Sequence, residues 1–289
     1  MNKAISIMAP AKINVRLEIT GKRADGYHDL FSVMIPVELF DHIEIILNNS
    51  GQITLEGAGF PVPSDPTNLV YRAARLFYDR AGVEKKGAHI LLTKNIPVSA
   101  GLGGGSSDGA ATLLTLNKIN SFLLTEKDLL QLALSLGADV PFFIRSEPSI
   151  ATGIGEKLEP IPNWPEFWYL IITPKIEVST AWAYQNYKMK LTSNKYDYIR
   201  KSLKNGDISI KDILKNDLEE VTCTRFPLIS TLKRRIMDAG AEGAMMSGSG
   251  PSVFGVFKSR EKAVMAMDLF ASDDLRHLSV AKGYIKKAV

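Results

Sequence analysis

The first fifty residues alternate. In KAISIMAPAKINVRLEI and SVMIPVELFDHIEIIL the apolar side chains, rich in Val and Ile, recur at the period of strands that bury one face. Between the two runs, RADGYH carries an Asp25–Gly26 turn signal. The rhythm then changes. Across DPTNLVYRAARLFYDRAG (65–82), Leu69, Ala73, Leu76 and Phe77 fall at helical spacing, and Gly82 marks the stop. AHILLTK (88–94) predicts a strand that leads through Asn95, Ile96 and Pro97 into a glycine cluster. A helix is expected from Ser106, with Ala110, Leu113, Leu114 and Leu116 as its apolar stripe. TEKDLLQLALSLG predicts another, ending at Gly137 just before ADVPFFI.

LEPIPNWPEFWYLIITP (158–174) breaks the pattern with four prolines. We place a domain junction at 159–165, dividing residues 1–160 from 161–289. Beyond it the order is a strand (WYLIIT), helical segments, a helix (PLISTLKRRIMDAG), strands (GAMMS, PSVFGVF), a helix (REKAVMAMDLF) and a strand (LSVAKGYI). Short alternating units of both kinds predict an α+β fold with helices layered on sheets.

Composition narrows the class. The 289 residues are 45% hydrophobic and 23% charged, the balance of a globular chain with room for a core. The single cysteine, Cys223, excludes an internal disulfide, a multi-cysteine metal site and a CxxC redox pair. MNKAISIMAPAKINV has no apolar region of signal-peptide length, and no stretch reaches the roughly 18 apolar residues that span a bilayer. A cytoplasmic protein with no membrane partner is expected. The net charge of +4 is small, and its densest runs, KLTSNKYDYIRKSLK (190–204) and LKRR (232–235), read as solvated helix faces rather than a nucleic-acid surface.

PVSAGLGGGSSDGAA (97–111) places four glycines in the five positions from Gly101 to Gly105. A strand, a glycine loop and a helix N-terminus make an anion cradle, because the first helical N–H groups lack intrahelical partners and the helix dipole favours negative charge there. Ser106 and Ser107 could cap that helix and offer hydroxyls to a phosphate or a metal ion. Neither common nucleotide pattern fits. No lysine follows Gly105, as a P-loop requires, and G-x-G-x-x-G started at Gly101 meets Ser106 where its last glycine belongs. Asp108 would repel a bare phosphate, so it points to magnesium or to a contact with Lys12. A purely structural turn is the competing reading.

Other residues stay open on sequence alone. SGSGPSVFGVF (247–257) is a small-residue turn of a common kind before a strand. Asp139, beside Val140, Pro141, Phe142 and Phe143, is either a cap or turn residue or a carboxylate held in a poorly solvated pocket, where it could serve as a general base. Lys12 in APAKINV would need partners if it points inward. Tyr27 and His28 follow the turn and could be surface residues.

PAKINVRLEITGKRADGYH, PVSAGLGGGSSDGAA, LGADVPFF, GIGE and SGSGPSVFGVF, in this order, resemble the GHMP kinase superfamily over essentially the whole chain. AKINxxL with DGYH and GADVPFF resembles the branch acting on 4-diphosphocytidyl-2-C-methyl-D-erythritol, and speaks against homoserine, mevalonate or sugar kinases. The resemblance implies an N-terminal ribosomal-protein-like α/β domain, a C-terminal ferredoxin-like domain and an active site between them. It also implies ATP and Mg2+, and transfer of the γ-phosphate to the 2-hydroxyl of the methylerythritol group. Pro97, Val98, Ser99, Ala100, Gly101, Leu102, Gly103, Gly104, Gly105, Ser106 and Ser107 match the family's phosphate loop. Lys12 and Asp139 match its catalytic lysine and aspartate. Asn14, Tyr27 and His28 match its cytidyl-diphosphate site. Tyr184 matches an aromatic position that stacks on cytosine, with Trp182 as rival, and Asn68 and Lys94 fall near its adenine pocket. One departure is Gly109, where relatives carry alanine after the residue matching Asp108. A non-catalytic nucleotide- or RNA-binding protein on the same fold would tolerate loss of Lys12 and Asp139, and both are present.

Overall fold

The computed structural model describes residues 4–83, 86–189, 196–206 and 208–284. The predicted alternation of the first fifty residues becomes two long strands, β1 (Ala4–Lys22) and β2 (His28–Asn48), joined by a hairpin turn at Gly26. The chain divides into two compact units: residues 1–11, 39–98 and 103–146 form the first, and 12–38, 99–102 and 147–289 the second.

In the first unit the sheet continues from the far half of β2 to β4 (Gly87–Lys94), antiparallel, and from β4 to β3 (Ile53–Gly59), parallel. The sequence reading had no β3, a seven-residue strand whose last residues are exposed. Helix α1 (Leu69–Ala81) starts at Asn68, whose side chain accepts from the Val70 N–H, and stops at Gly82 as predicted. Helices α2 (Gly104–Ile119), α3 (Glu126–Leu136) and α4 (Val140–Arg145) pack with it, over a core that includes Ile43, Ile90, Phe77, Leu116 and Phe142.

Helix α2 departs from its predicted stripe. Leu114 is half-buried, while the polar Thr112, Thr115 and Asn117 are buried with Ala110, Leu113 and Leu116. The reason is that α1, α3 and α4 all pack on α2, so little of it is wet beyond Gly105 and Lys118. Two of these polar groups are satisfied locally: Thr112 donates to the Asp108 carbonyl, and the Asn117 amide pairs with both backbone groups of Leu124, while Thr115 Oγ1 has no hydrogen-bond partner among the described residues.

In the second unit β5 (Ser149–Gly153) pairs with the near half of β2 and with β6 (Lys157–Pro160). β7 (Trp168–Pro174) opens a segment with α5 (Thr180–Asn186), α6 (Tyr196–Asn205), α7 (Ile210–Ile213), β8 (Lys215–Asn216, parallel to β1) and α8 (Glu219–Arg225). The predicted closing order then follows: α9 (Pro227–Asp238), β9 (Gly243–Met246), β10 (Val253–Phe257), α10 (Arg260–Asp268) and β11 (Leu275–Lys282). Four antiparallel strands in the order β11-β7-β10-β9 carry α9 and α10, with Ile172, Ile236, Val253, Phe257 and Phe270 in the core. Part of the basic run, 190–195, lies outside the described residues. No helix of the described residues is long and apolar enough to cross a membrane.

Candidate active site

The glycine loop turns sharply because three of its residues take left-handed backbone angles: Ser99 (φ 54°), Gly101 (76°) and Gly103 (69°). Gly103 occupies the cap position of α2 without a side-chain hydrogen bond, and the helix begins at Gly104. The expected start at Ser106 is therefore two residues late, and the serines are not caps. A left-handed glycine ends the loop so tightly that Ser106 and Ser107 fall inside the first turn. Ser107 is 1% exposed, and its Oγ has no hydrogen-bond partner among the described residues. A buried hydroxyl of this kind ordinarily has a partner, so it fits an acceptor oxygen supplied by a ligand.

In the second unit the other small-residue turn is built against the first. Ser247 Oγ donates to the Gly101 carbonyl (2.8 Å) and accepts from the Asn14 N–H (3.2 Å). The Ser252 N–H donates to the Ala100 carbonyl, and the Lys12 N–H to that of Leu102. A Cβ at Gly101 would lie 2.1 Å from the Ser247 carbonyl oxygen, so only glycine permits this approach. Asn216 holds the turn from behind, donating to the carbonyls of Met246 and Gly248. The sequence reading left SGSG as an ordinary turn and did not name Ser247 or Asn216. Their partners are far away in sequence, and no local pattern reports them.

On β1, Lys12 is 4% exposed and donates to Asn14 Oδ1, while Asn14 Nδ2 donates to Ser32 Oγ (2.8 Å). The inward orientation of Lys12 thus comes with a polar partner, as burial requires. Beyond the hairpin, His28 stacks on Tyr184, with ring centroids 5.4 Å apart and planes at 28°. Trp182 is engaged elsewhere, beneath the Arg225 guanidinium (4.8 Å) and against the edge of Phe226. Tyr27, at the turn, is 59% exposed. Burial, helped by the Lys22 charge, holds the His28 pKa below its ordinary 6.5, so the ring is neutral at pH 7.

In the first unit Asp139 precedes α4 and makes no capping hydrogen bond to it, while the next five residues are all buried. Asp108, expected to call for magnesium or a contact with Lys12, has a cation partner on β4. Asp108 Oδ2 accepts from Lys94 Nζ at 2.7 Å, and Lys94 also bonds Asp41. Lys94 lies on β4, facing α2, so the nearest available cation comes from the strand that enters the loop. Burial pushes the Asp108 carboxyl up to about 8, against the pull of Lys94 and with the Asp41 charge adding to the shift. Asn68, the α1 cap, also donates to the Pro63 carbonyl.

Residues 68–147 match the GHMP kinases N terminal domain, and residues 199–267 the GHMP kinases C terminal family. The 4-diphosphocytidyl-2-C-methyl-D-erythritol kinase of Syntrophotalea carbinolica is 45% identical, over 92% of this chain and 94% of its own. The chain belongs to the GHMP kinase family. A crystal structure of 4-(cytidine 5'-diphospho)-2C-methyl-D-erythritol kinase superposes with a TM-score of 0.82 at 31% identity, covering 97% of this chain and 100% of the other. Homoserine kinase from Cytophaga hutchinsonii, at 21% identity and a TM-score of 0.78, covers 99% of this chain and 96% of its own, and shares the fold. This GHMP kinase is a small-molecule kinase of mixed α and β structure, and the family implies ATP as phosphate donor.

The buried Asp108 carboxyl gives this GHMP kinase a pH signature. The unfolded chain ionises it near 3.8, the folded chain only near 8. Below the lower value both states hold the proton. As pH rises between the two, the unfolded state gains by releasing it and the folded state does not, so stability falls. Asp108→Asn removes that dependence. Its melting-temperature advantage over the parent is expected to be smallest near about pH 4 and to grow until about pH 8. Calorimetry across that range checks this; an advantage that does not change with pH would mean that Asp108 is ionised in the fold.

Proposed function

We infer that this chain transfers the γ-phosphate of ATP to the 2-hydroxyl of 4-(cytidine 5'-diphospho)-2-C-methyl-D-erythritol, a step of the non-mevalonate route to isoprenoid precursors. The observation that carries this reading is the 45% identity to a kinase of that name over nearly the full length of both chains. Residues 1–160 and 161–289 are taken as the two family domains, acting in the cytoplasm on small molecules without nucleic acid or membrane.

Phosphoryl transfer asks mainly for positioning and for compensation of charge. In this reading Pro97 to Ser107 receive the triphosphate. Supporting it are the N-terminal N–H groups of α2, whose dipole favours anions, and the unpartnered Ser107 hydroxyl. Asn68 and Lys94 are assigned to the adenine side by the family pattern. Lys12 offsets negative charge at the reacting centre, and Asp139 accepts the proton of the 2-hydroxyl. The run of five buried residues that follows Asp139 gives it a poorly solvated setting, which supports its use as a base. No three His, Cys, Asp or Glu side chains among the described residues converge to hold a metal ion. Mg2+ would therefore come with the nucleotide's phosphates, whose charge it shields.

Recognition of the acceptor rests on its cytidine. Neutral His28 presents one donor and one acceptor nitrogen, as the cytosine edge requires. Its stacking on Tyr184 supports Tyr184 over Trp182 as the aromatic contact. Tyr27, exposed at the hairpin turn, and Asn14 complete this group. The cytidine lies remote from the reacting hydroxyl, so its binding energy serves to orient the polyol.

ADP release with the cytidyl acceptor, compared with homoserine, mevalonate and free methylerythritol, tests the function. Turnover confined to the cytidyl compound is expected, and equal turnover of another alcohol would refute it. Asp139→Asn should keep its fold and bind ATP while turnover drops by about 10²-fold or more; near-parent turnover removes it as the base. Ser107→Ala is expected to weaken ATP binding by about 1.4 kcal/mol without lowering the melting temperature, because the lost hydroxyl has no partner among the described residues. Unchanged ATP affinity in calorimetric titration would take the loop out of the nucleotide site. His28→Ala should weaken the cytidyl acceptor by roughly 1–3 kcal/mol and leave ATP binding alone. The opposite pattern would show the two nucleotide sites to be interchanged.

A further inference from the structure

Within the first unit, three buried ionisable side chains bracket the glycine loop, and the transfer chemistry uses neither of their carboxyl groups. Lys94 ends β4, and its ammonium bonds Asp41 Oδ2 on β2 and Asp108 Oδ2 near the start of α2. All three side chains are at least nine-tenths buried. The second Asp41 oxygen accepts the backbone N–H groups of Asn95 (2.6 Å) and Ile96 (2.9 Å), the two residues that lead from β4 into the loop. The first residue of α2 rests directly on this cluster. A Cβ at Gly104 would lie 3.0 Å from Lys94 Nζ and 2.9 Å from the Ile96 side chain.

Stability does not account for such a cluster. Removing charges from water is unfavourable, and apolar residues of similar size commonly hold a core as well or better. What hydrogen-bonded charges supply is direction. One ammonium here ties the strand entering the loop to the helix leaving it, while Asp41 fixes the intervening backbone through two N–H groups. We propose that Asp41 and Asp108 are positioning residues which, through Lys94, set the spacing of the two ends of the glycine loop and thereby the affinity for the triphosphate of the donor nucleotide. The proposal rests on the reading of residues 97–107 as the phosphate loop.

Asp108→Ala in the full chain severs the tie to α2 while leaving Lys94 paired with Asp41, so no charge is orphaned. The KM for ATP is expected to rise about tenfold, with kcat at saturating ATP and the KM for the cytidyl acceptor within about twofold of the parent. Asp108→Asn, whose amide oxygen can still accept from Lys94, should restore the ATP KM to within about twofold. Asp41→Asn puts an amide against the ammonium and should raise the ATP KM as well, assayed well below its own melting temperature. A merely structural cluster would act differently: Asp108→Ala would lower the melting temperature and the active fraction while the ATP KM stayed at the parent value. That result, or equal ATP effects of Asp108→Ala and Asp108→Asn, overturns the proposal. Should Asp108→Ala fail to fold, an unchanged ATP KM in Asp41→Asn overturns it on its own. Ser107→Ala separates the two levels of the argument. If it leaves ATP binding intact, the loop reading falls; if it weakens ATP binding while Asp108→Ala does not, only the clamp falls.

Discussion

At Gly101 the carbonyl oxygen of Ser247 occupies the space where any other residue would carry its Cβ. Two stretches of main chain meet there with nothing between them, and much of the second unit's polar architecture follows from the contact. Ser247 can bond the Gly101 carbonyl and the Asn14 N–H only because the backbones are so close. The Lys12 N–H, one hydrogen bond along, reaches Leu102 for the same reason. The strand that bears Lys12 and Asn14 is thus registered on the glycine loop by main-chain groups, which have no rotamers to lose. Asn216 completes the arrangement by donating to two carbonyls of the Ser247 turn.

The first unit solves a related problem with different chemistry. Its end of the loop is set by an ammonium between two carboxylates, in surroundings dry enough to keep one of those carboxyls protonated at neutral pH. A neutral Asp108 leaves the Lys94–Asp41 pair formally balanced. The cluster then adds no net negative charge beside the start of α2, where the helix dipole favours anions.

How much of this could be read in the sequence varied with the range of the interactions. The long hairpin was legible because alternation over many residues admits few other solutions, and α1 was legible from its helical spacing and its Gly82 stop. Strand β3 was not, because Ile53 and Leu55 give too short an alternation before the glycines. The start of α2 was misplaced since serine is the commoner cap, while here left-handed Gly103 takes that place and pushes the serines into the helix. Asp108 was recognised as a carboxylate needing a cation, yet its partner lies 14 residues back, and the next carboxylate a further 53 away along the chain. The link between Gly101 and Ser247 spans 146 residues. Resemblance to a family could mark both segments, but only the fold joins them. The choice between Tyr184 and Trp182 was likewise invisible locally, because it depends on Arg225 and Phe226 engaging the indole.

Helix α2, enclosed by α1, α3 and α4, has a mechanical consequence. A rod held by three neighbouring helices at the density of an organic crystal cannot slide or roll without opening voids against them. It therefore behaves as an anvil. Any give on the arrival of a ligand must be taken up by the few bonds ahead of it, at Ser99, Gly101 and Gly103, where the backbone already sits in its left-handed bends. Recoil is confined to one joint, and the surface it closes against stays still.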